Sequence, residues 1–324
     1  MNPPPRVSVL IPVFNRKNLI GDAIRSALIQ AIDQMEIIVG DNHSDDGTWE
    51  FLQQLNDSRV QTFRNDSNVG LFGNFNRCAA KARGEFALFL CSDDRLTPGF
   101  LSFGLERMRE YPGTVLLSSR GRTIDATGKE GGIIADHFPP GEYDGESVTP
   151  AWFWTSYHYG TNPLNYPSGI LVRTSVLKQC LPFRSELGAV ADIDLYLRIL
   201  AFGDLSVTDA IGCLVMQHSE QEGRHFRRSG ELFRNNLALL AEFKTELESL
   251  GIYRELSDQM SCLALAAAVR HLKIDPHSSF RLLKEFGRNP AKLLLAAIKS
   301  AGLIGLDKLL GYRRVAYLKS ACQP

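Results

Sequence analysis

Between residues 6 and 117 the chain alternates short apolar, β-branched runs with longer amphipathic stretches. The runs at 7–13, 36–39, 60–63, 86–90 and 115–117 read as strands, and the stretches near 18–29, 48–55, 72–82 and 99–109 read as helices. Short strands alternating with helices point to βαβ units and a largely parallel sheet. Residues 123–166 break that rhythm with Gly, Pro and aromatics at no clear period, and read as long loops or short strands over a cleft. Apolar runs return at 169–172 and 213–216, with a helix from Asp192 to about Ala201 between them. From about Arg224 onward the pattern is helical, so an α/β domain is expected over residues 1–222 and a helical region over 223–324.

Composition narrows the picture. A chain of 324 residues, 44% hydrophobic, buries one large core and a modest second unit. Lys+Arg and Asp+Glu balance at 36 each, which argues against a nucleic-acid partner. The six cysteines (Cys78, Cys91, Cys180, Cys213, Cys262, Cys322) form no CxxC pair, which disfavours a zinc ribbon or a disulfide framework and suits a reducing, cytoplasmic setting. The first residues lack the apolar stretch of a signal peptide, and no segment has the length of a membrane span. From Arg281 to the end, nine basic residues face two acids. That basic region is a candidate for peripheral contact with the inner face of an anionic membrane, and equally for packing on the catalytic domain or on a second copy of the chain.

In an open α/β sheet, ligands bind where strands end, so polar residues after apolar runs are the first candidates. Pro12, Val13, Phe14 and Asn15 follow the first strand, where a proline and an aromatic can frame a flat ring. Asp41 opens a polar run after the second strand, positioned to accept from a base N–H, whereas Ser44 and Asp46 also suit a helix cap. Asp93 and Asp94 follow the run at 86–90. Adjacent carboxylates repel unless a cation or hydrogen bonds offset the cost, so the pair suits Mg²⁺ or Mn²⁺, and also a solvated turn. Asp192 and Asp194 open the later helix; Asp194 and Arg198 can pair four residues apart, leaving Asp192 to take a proton from a hydroxyl. An unperturbed aspartate, with a pKa of about 3.9, is already ionised at neutral pH.

The stretches VSVLIPVFNR, EIIVGDNHSDDGT, NVGLFGNFNRCAAKARGEFALFLCSDDRLTPGF, YPSGILVRTSVL and ADIDLYLRILAFG together resemble the family 2 glycosyltransferases, over roughly residues 6–220. The resemblance implies a GT-A fold, a Rossmann-like mixed sheet flanked by helices. It implies inverting transfer of a sugar from a nucleotide donor, carrying UDP or dTDP, to a hydroxyl on a saccharide or lipid-linked saccharide, in cell-surface polysaccharide or lipopolysaccharide synthesis. By the same resemblance Pro12, Phe14 and Asn15 line the nucleoside pocket, Asp41 contacts the base, Asp93 lies near the ribose or sugar, Asp94 and His218 hold the metal, and Asp192 is the general base. Cys91 stands where many members carry the first Asp of the DxD motif, Ala191 where an acid is common, and Asn42-His43 where Asp-Gly is usual. The aromatics Trp152, Trp154, Tyr157 and Tyr159 suit acceptor contacts or ordinary packing. A sugar-1-phosphate nucleotidyltransferase would open on a glycine-rich basic loop that is absent, and a dinucleotide-dependent oxidoreductase on Gly-x-Gly, which occurs nowhere in the chain. A non-catalytic sugar-nucleotide binder is the remaining alternative.

Overall fold

The computed structural model describes residues 4–159, 162–217, 231–271, 279 and 282–285. They fall into two compact units. One comprises Met1–Glu146, Pro163–Ser185 and Ala191–His218; the other holds Ser147–Asn162, Glu186–Val190 and the described residues beyond 218. The domain boundary expected near residue 222 lies outside the described residues, as does most of the basic C-terminal region. Among the described residues no helix is long and apolar enough to cross a membrane.

The first unit is built on one mixed sheet. Its strands are β1 (Val7–Val13), β2 (Met35–Asp41), β3 (Val60–Arg64), β4 (Phe86–Phe89), β5 (Arg95–Leu96), β6 (Thr114–Ile124), β7 (Glu130–Ile134), β8 (Gly141–Tyr143), β9 (Ile170–Arg173) and β10 (Asp204–Met216). They run in the order β3-β2-β1-β4-β9-β6-β10-β5, with β7 paired to β6 and β8 to β10. The pairs among β3, β2, β1 and β4 are parallel, β9 lies antiparallel between β4 and β6, and β10 runs parallel to β6. Every residue of β1 and β2 is buried, as expected of strands covered on both faces. Helices α1 (Ile20–Leu28), α2 (Thr48–Leu52), α3 (Leu71–Lys81) and α4 (Phe100–Glu110) connect these strands. Val7, Val9, Ile11 and Val13 of β1 share a core cluster with Ile20, Ile24, Leu101 and Leu105 of α1 and α4. On the opposite face, α3 packs on β1 and β2. A Cβ on Gly40 would meet Phe63 and Cys78 at 2.6 and 2.7 Å, so this strand residue has to be glycine for α3 to approach.

Two stretches depart from the expectation. The region read as loops contains β7, β8 and a 15-residue helix α5 (Gly145–Tyr159). Trp152, Phe153, Trp154 and Tyr157 within it are buried, so apolar residues on all sides erase the amphipathic signal. The 13-residue β10 was legible only at its last four positions, because register shifts between Val207 and Ile211 and between Ile211 and Cys213 disrupt its alternation. Helices α6 (Thr174–Cys180) and α7 (Ala191–Leu200) complete the first unit, and α8 (Glu231–Glu242), α9 (Lys244–Ser249) and α10 (Tyr253–His271) belong to the second. In that unit Tyr157 donates to the Asn236 carbonyl at 2.7 Å and the Trp152 ring N–H to Asn162 at 3.0 Å. Trp152, Trp154 and Tyr157 are thus packing residues in this structure; the Tyr159 side chain lies outside those described.

Candidate active site

Strand register sets the site. Pro12 pairs with Gly40 and Val13 with Asp41, so β1 and β2 end side by side, and β4 ends next to β1. Past the end of β1, Asn15 takes a left-handed φ of 50° and is held reciprocally: its side-chain amide donates to Asp45 at 2.9 Å and accepts from the Asp45 N–H at 3.0 Å. Ser44 accepts from the Asn15 N–H, and Asp46 from the backbone of Lys17 and Thr48, so both residues tie loops together. Phe14, between two fixed neighbours, leaves 41% of its surface exposed. Pro12 is buried beneath it.

Asp41 is fully buried. Its carboxylate meets Arg64 Nε at 3.1 Å and accepts from the Ser44 N–H, so its charge is already answered by the end of β3. Asn42 is a hub: it accepts from the Val69 N–H and Asn65, and donates to Asn68 and the Gly70 carbonyl. This departure from the usual Asp-Gly therefore has a structural job, fastening β2 to the segment that leads into α3.

The turn after β4 gathers the second group. Asp94 is 3% exposed, and both its oxygens accept from neutral donors: Ser168 Oγ at 2.6 Å and the Met216 N–H at 3.0 Å. The same Ser168 hydroxyl accepts from the Cys91 N–H at 3.1 Å, clamping both ends of the turn. Burial, then repulsion from Asp93, push the Asp94 carboxyl well above the usual carboxylate range, and among the described residues no basic side chain acts to keep it ionised. Burial likewise raises the Cys91 thiol, with Asp94, Asp93 and Cys213 adding to the effect. Asp93 is only partly buried.

Asp192 lies in the first turn of α7, which packs against β6. It is partly buried and, among the described residues, accepts hydrogen bonds from the backbone at its own helix start alone, including Ile193 N–H at 2.9 Å. Burial raises its pKa to about 6, so the unperturbed value expected from residue type is corrected upward. Tyr196, one turn later, is buried, and both Asp192 and Cys91 contribute to its electrostatic environment. The helix start and the strand-end turn, about 100 residues apart in the chain, thus lie within electrostatic reach of one side chain. Asp194 turns the other way. Fully buried, it is held by Arg184 and Arg198, each at 2.8 Å. Arg198 also donates to the Cys180 and Pro182 carbonyls, and Phe183 packs among Phe72, Phe75 and Phe89. This framework anchors α7. His218 lies outside the described residues.

Arg64, Ser168 and Tyr196 were not singled out from sequence. Tyr196 sits four residues after Asp192 and could have been found by helical spacing; Ser168 and Arg64 carry no comparable local signal. Among the described residues no three His, Cys, Asp or Glu side chains form a metal cage. A cation held by one or two carboxylates and substrate phosphates needs none. The adjoining acids Asp93 and Asp94, with no basic side chain helping Asp94 among the described residues, fit such an ion.

The family described as glycosyl transferase family 2 matches residues 8–169, half of the chain. A Campylobacter jejuni protein named GalNAc(5)-diNAcBac-PP-undecaprenol beta-1,3-glucosyltransferase is 39% identical over 109 residues, which are 33% of this chain and 35% of that relative. The chain thus aligns with about a third of that relative's length. Among solved structures, S. aureus TarS 1-349 in complex with UDP-GlcNAc superposes at a TM-score of 0.61 and 18% identity, over 90% of this chain and 79% of that one. The mannosyltransferase PcManGT from Pyrobaculum calidifontis, in complex with GDP-Man and Mn²⁺, gives 0.56 and 15% over 93% and 88%. These likenesses are of fold, the GT-A arrangement of sheet and helices.

Proposed function

Because this chain belongs to glycosyl transferase family 2, we propose that it moves a sugar, with inversion, from a nucleoside diphosphate donor to the hydroxyl of a saccharide or lipid-linked saccharide. The observation that best supports this reading is that Asp192 and Cys91, at the start of the turn carrying Asp93 and Asp94, both act electrostatically on one buried side chain, Tyr196. A candidate base and a candidate diphosphate site within reach of one side chain suit a transfer reaction.

In the proposed reaction the acceptor oxygen attacks the anomeric carbon as Asp192 takes its proton. The bond from that carbon to the diphosphate oxygen breaks, and the nucleoside diphosphate departs with the electron pair. A carboxylate with a pKa of about 6 is a stronger proton acceptor than a solvated one and is still mostly ionised at pH 7. Phe14, exposed between Pro12 and Asn15, offers a face to the nucleobase. Asp41, closed off by Arg64, reaches the base only if that pair opens. Asp93 and Asp94 would hold Mg²⁺ or Mn²⁺, with a change of emphasis from the expected roles: Asp93, the partly exposed member, is the better placed ligand, and Asp94, buried behind it, would gain its full charge as the cation binds. Once bound, such an ion would offset the charge of the departing diphosphate.

A lipid-linked acceptor is named for the C. jejuni relative and UDP-GlcNAc for TarS; both motivate our preference for a UDP or dTDP sugar and an acceptor of cell-surface polysaccharide synthesis. Cys78, Cys91, Cys180 and Cys213 are free thiols, which suits the cytoplasmic face of a membrane. Thermal-shift titration of the full chain with UDP, dTDP, GDP and CDP, with and without Mn²⁺, tests the reading. A Mn²⁺-dependent shift largest for UDP or dTDP is expected. A best response to GDP would overturn the nucleobase assignment, and no response to any would overturn the donor class.

A further inference from the structure

Tyr196 carries one unexplained group. The residue is 2% exposed, and among the described residues its hydroxyl has no hydrogen-bond partner. Buried hydroxyls are normally paired, and those that are not call for a functional or structural reason. The position of this one is specific. Long side chains on a helix lean toward its N-terminus, so the ring of Tyr196 lies over the turn that begins with Asp192, four residues earlier. Both Asp192 and Cys91 contribute to the electrostatic environment of Tyr196, and Asp93, Asp94 and Cys213 to that of Cys91.

Asp192 has the complementary deficiency. Its hydrogen bonds come only from the backbone at its own helix start, and among the described residues no side chain fixes its carboxylate. A base that must meet an acceptor hydroxyl within hydrogen-bonding distance needs its rotamer held, because small misplacements cost rate. By contrast Asp194, two residues on, is gripped by two arginines.

We propose that Tyr196 is a positioning residue for the transfer, its hydroxyl donating to an Asp192 oxygen when substrates are bound and fixing the orientation in which Asp192 meets the acceptor. The inference rests on the reading of Asp192 as base. Tyr196 itself touches neither the sugar nor the diphosphate in this scheme; it acts through the carboxylate. The cost of leaving its hydroxyl unpaired in the free protein is repaid on binding.

The test uses the full chain with UDP-glucose or UDP-GlcNAc and Mn²⁺, reading UDP release. Tyr196→Phe keeps the ring and deletes only the oxygen. Its kcat is expected to fall about tenfold, its KM for the UDP sugar to stay within about twofold, and its melting temperature to hold or rise, since an unpaired buried hydroxyl has been removed. In an Asp192→Asn background the same change should have no further effect, because the group it positions is gone. Wild-type kcat with a raised melting temperature would overturn the proposal, and so would equal losses of rate in both backgrounds. If Tyr196→Phe unfolds, Tyr196→Trp replaces it: folded and active at the wild-type rate without the hydroxyl, it would overturn the proposal, whereas folded and slow with unchanged KM it would support it. Should Asp192→Asn alone retain wild-type turnover, the base assignment fails and takes this inference with it; should only Tyr196→Phe be silent, the inference alone fails.

Discussion

Asp94 and Asp194 are both shut inside the sheet-bearing unit, at 3% and 0% exposure, yet their charges are met in opposite ways. Asp194 is flanked by Arg184 and Arg198, and the remaining donors of Arg198 reach the Cys180 and Pro182 carbonyls, so the fold supplies its own counter-charge. Among the described residues Asp94 receives a serine hydroxyl and a backbone N–H, with Asp93 beside it adding repulsion. Burying a carboxylate without a cation is costly, and neutral donors offset only part of that cost. The difference separates a scaffold from a site. Where charge is balanced by fixed arginines, the carboxylate serves the scaffold; where it is not, the carboxyl stays protonated more readily and is open to a cation.

Each acid also has a less buried partner in sequence, and those partners carry the chemistry. Asp93 and Asp192 are both partly exposed, while Asp94 and Asp194 hold the backbone around them. The sharpest way to break this division is to remove the proposed base. Asp192→Asn is expected to lower kcat by about 10²–10⁴ while leaving donor binding intact, as read by UDP-sugar turnover alongside thermal shift with UDP and Mn²⁺. A loss confined to KM would make Asp192 a binding residue instead.

Asp194→Asn should have the next largest effect, and on stability. Removing one member of a buried ion network costs about 3–5 kcal/mol; Arg184 and Arg198 remain 31% and 24% exposed and can rehydrate, so roughly 2–4 kcal/mol is expected. That corresponds to a fall in melting temperature of roughly 5–10 °C, measurable by calorimetry. Asp94→Asn should behave differently. It replaces a buried carboxyl that burial already holds largely protonated, so the melting temperature at neutral pH should change little, but the Mn²⁺ needed to support UDP binding should rise about 10–100-fold. Equal destabilisation by the two variants, with unchanged Mn²⁺ demand for Asp94→Asn, would erase the contrast.

Much of the sheet was readable because β1, β2, β3 and β4 are short apolar runs cut off by polar residues, and their ends mark where Asn15, Asp41 and Asp93 sit. What neighbours do to those residues was not readable. Arg64 closes on Asp41 from 23 positions away, and Ser168 reaches Asp94 from 74. Nothing local to either acid announces those partners, since they depend on strand order. Helix α5 was hidden for another reason: a helix apolar on every side has no polar stripe to set its period. The pairing of Asp194 with Arg198 lies within one helix and was legible from spacing, whereas the contribution of Arg184 required the tertiary fold.

The smallest expected effect tests the burial of Asp192 directly. Its carboxyl is raised to about 6 by desolvation, and the form able to accept a proton is the ionised one. Activity should therefore be fully present above about pH 7, halve near pH 6 and drop about tenfold per unit below pH 5. The direction follows from the chemistry: lowering the pH protonates the base, so rate is lost on the acid side and not gained. The profile of kcat at saturating UDP sugar and Mn²⁺, with thermal melts at each pH to confirm folding, measures this limb. A midpoint near pH 4 would mean that Asp192 is solvated during turnover, and the contrast between a held scaffold acid and an enclosed catalytic one would lose its second half. A midpoint near 6 that disappears in Asp192→Asn would assign the limb to this residue.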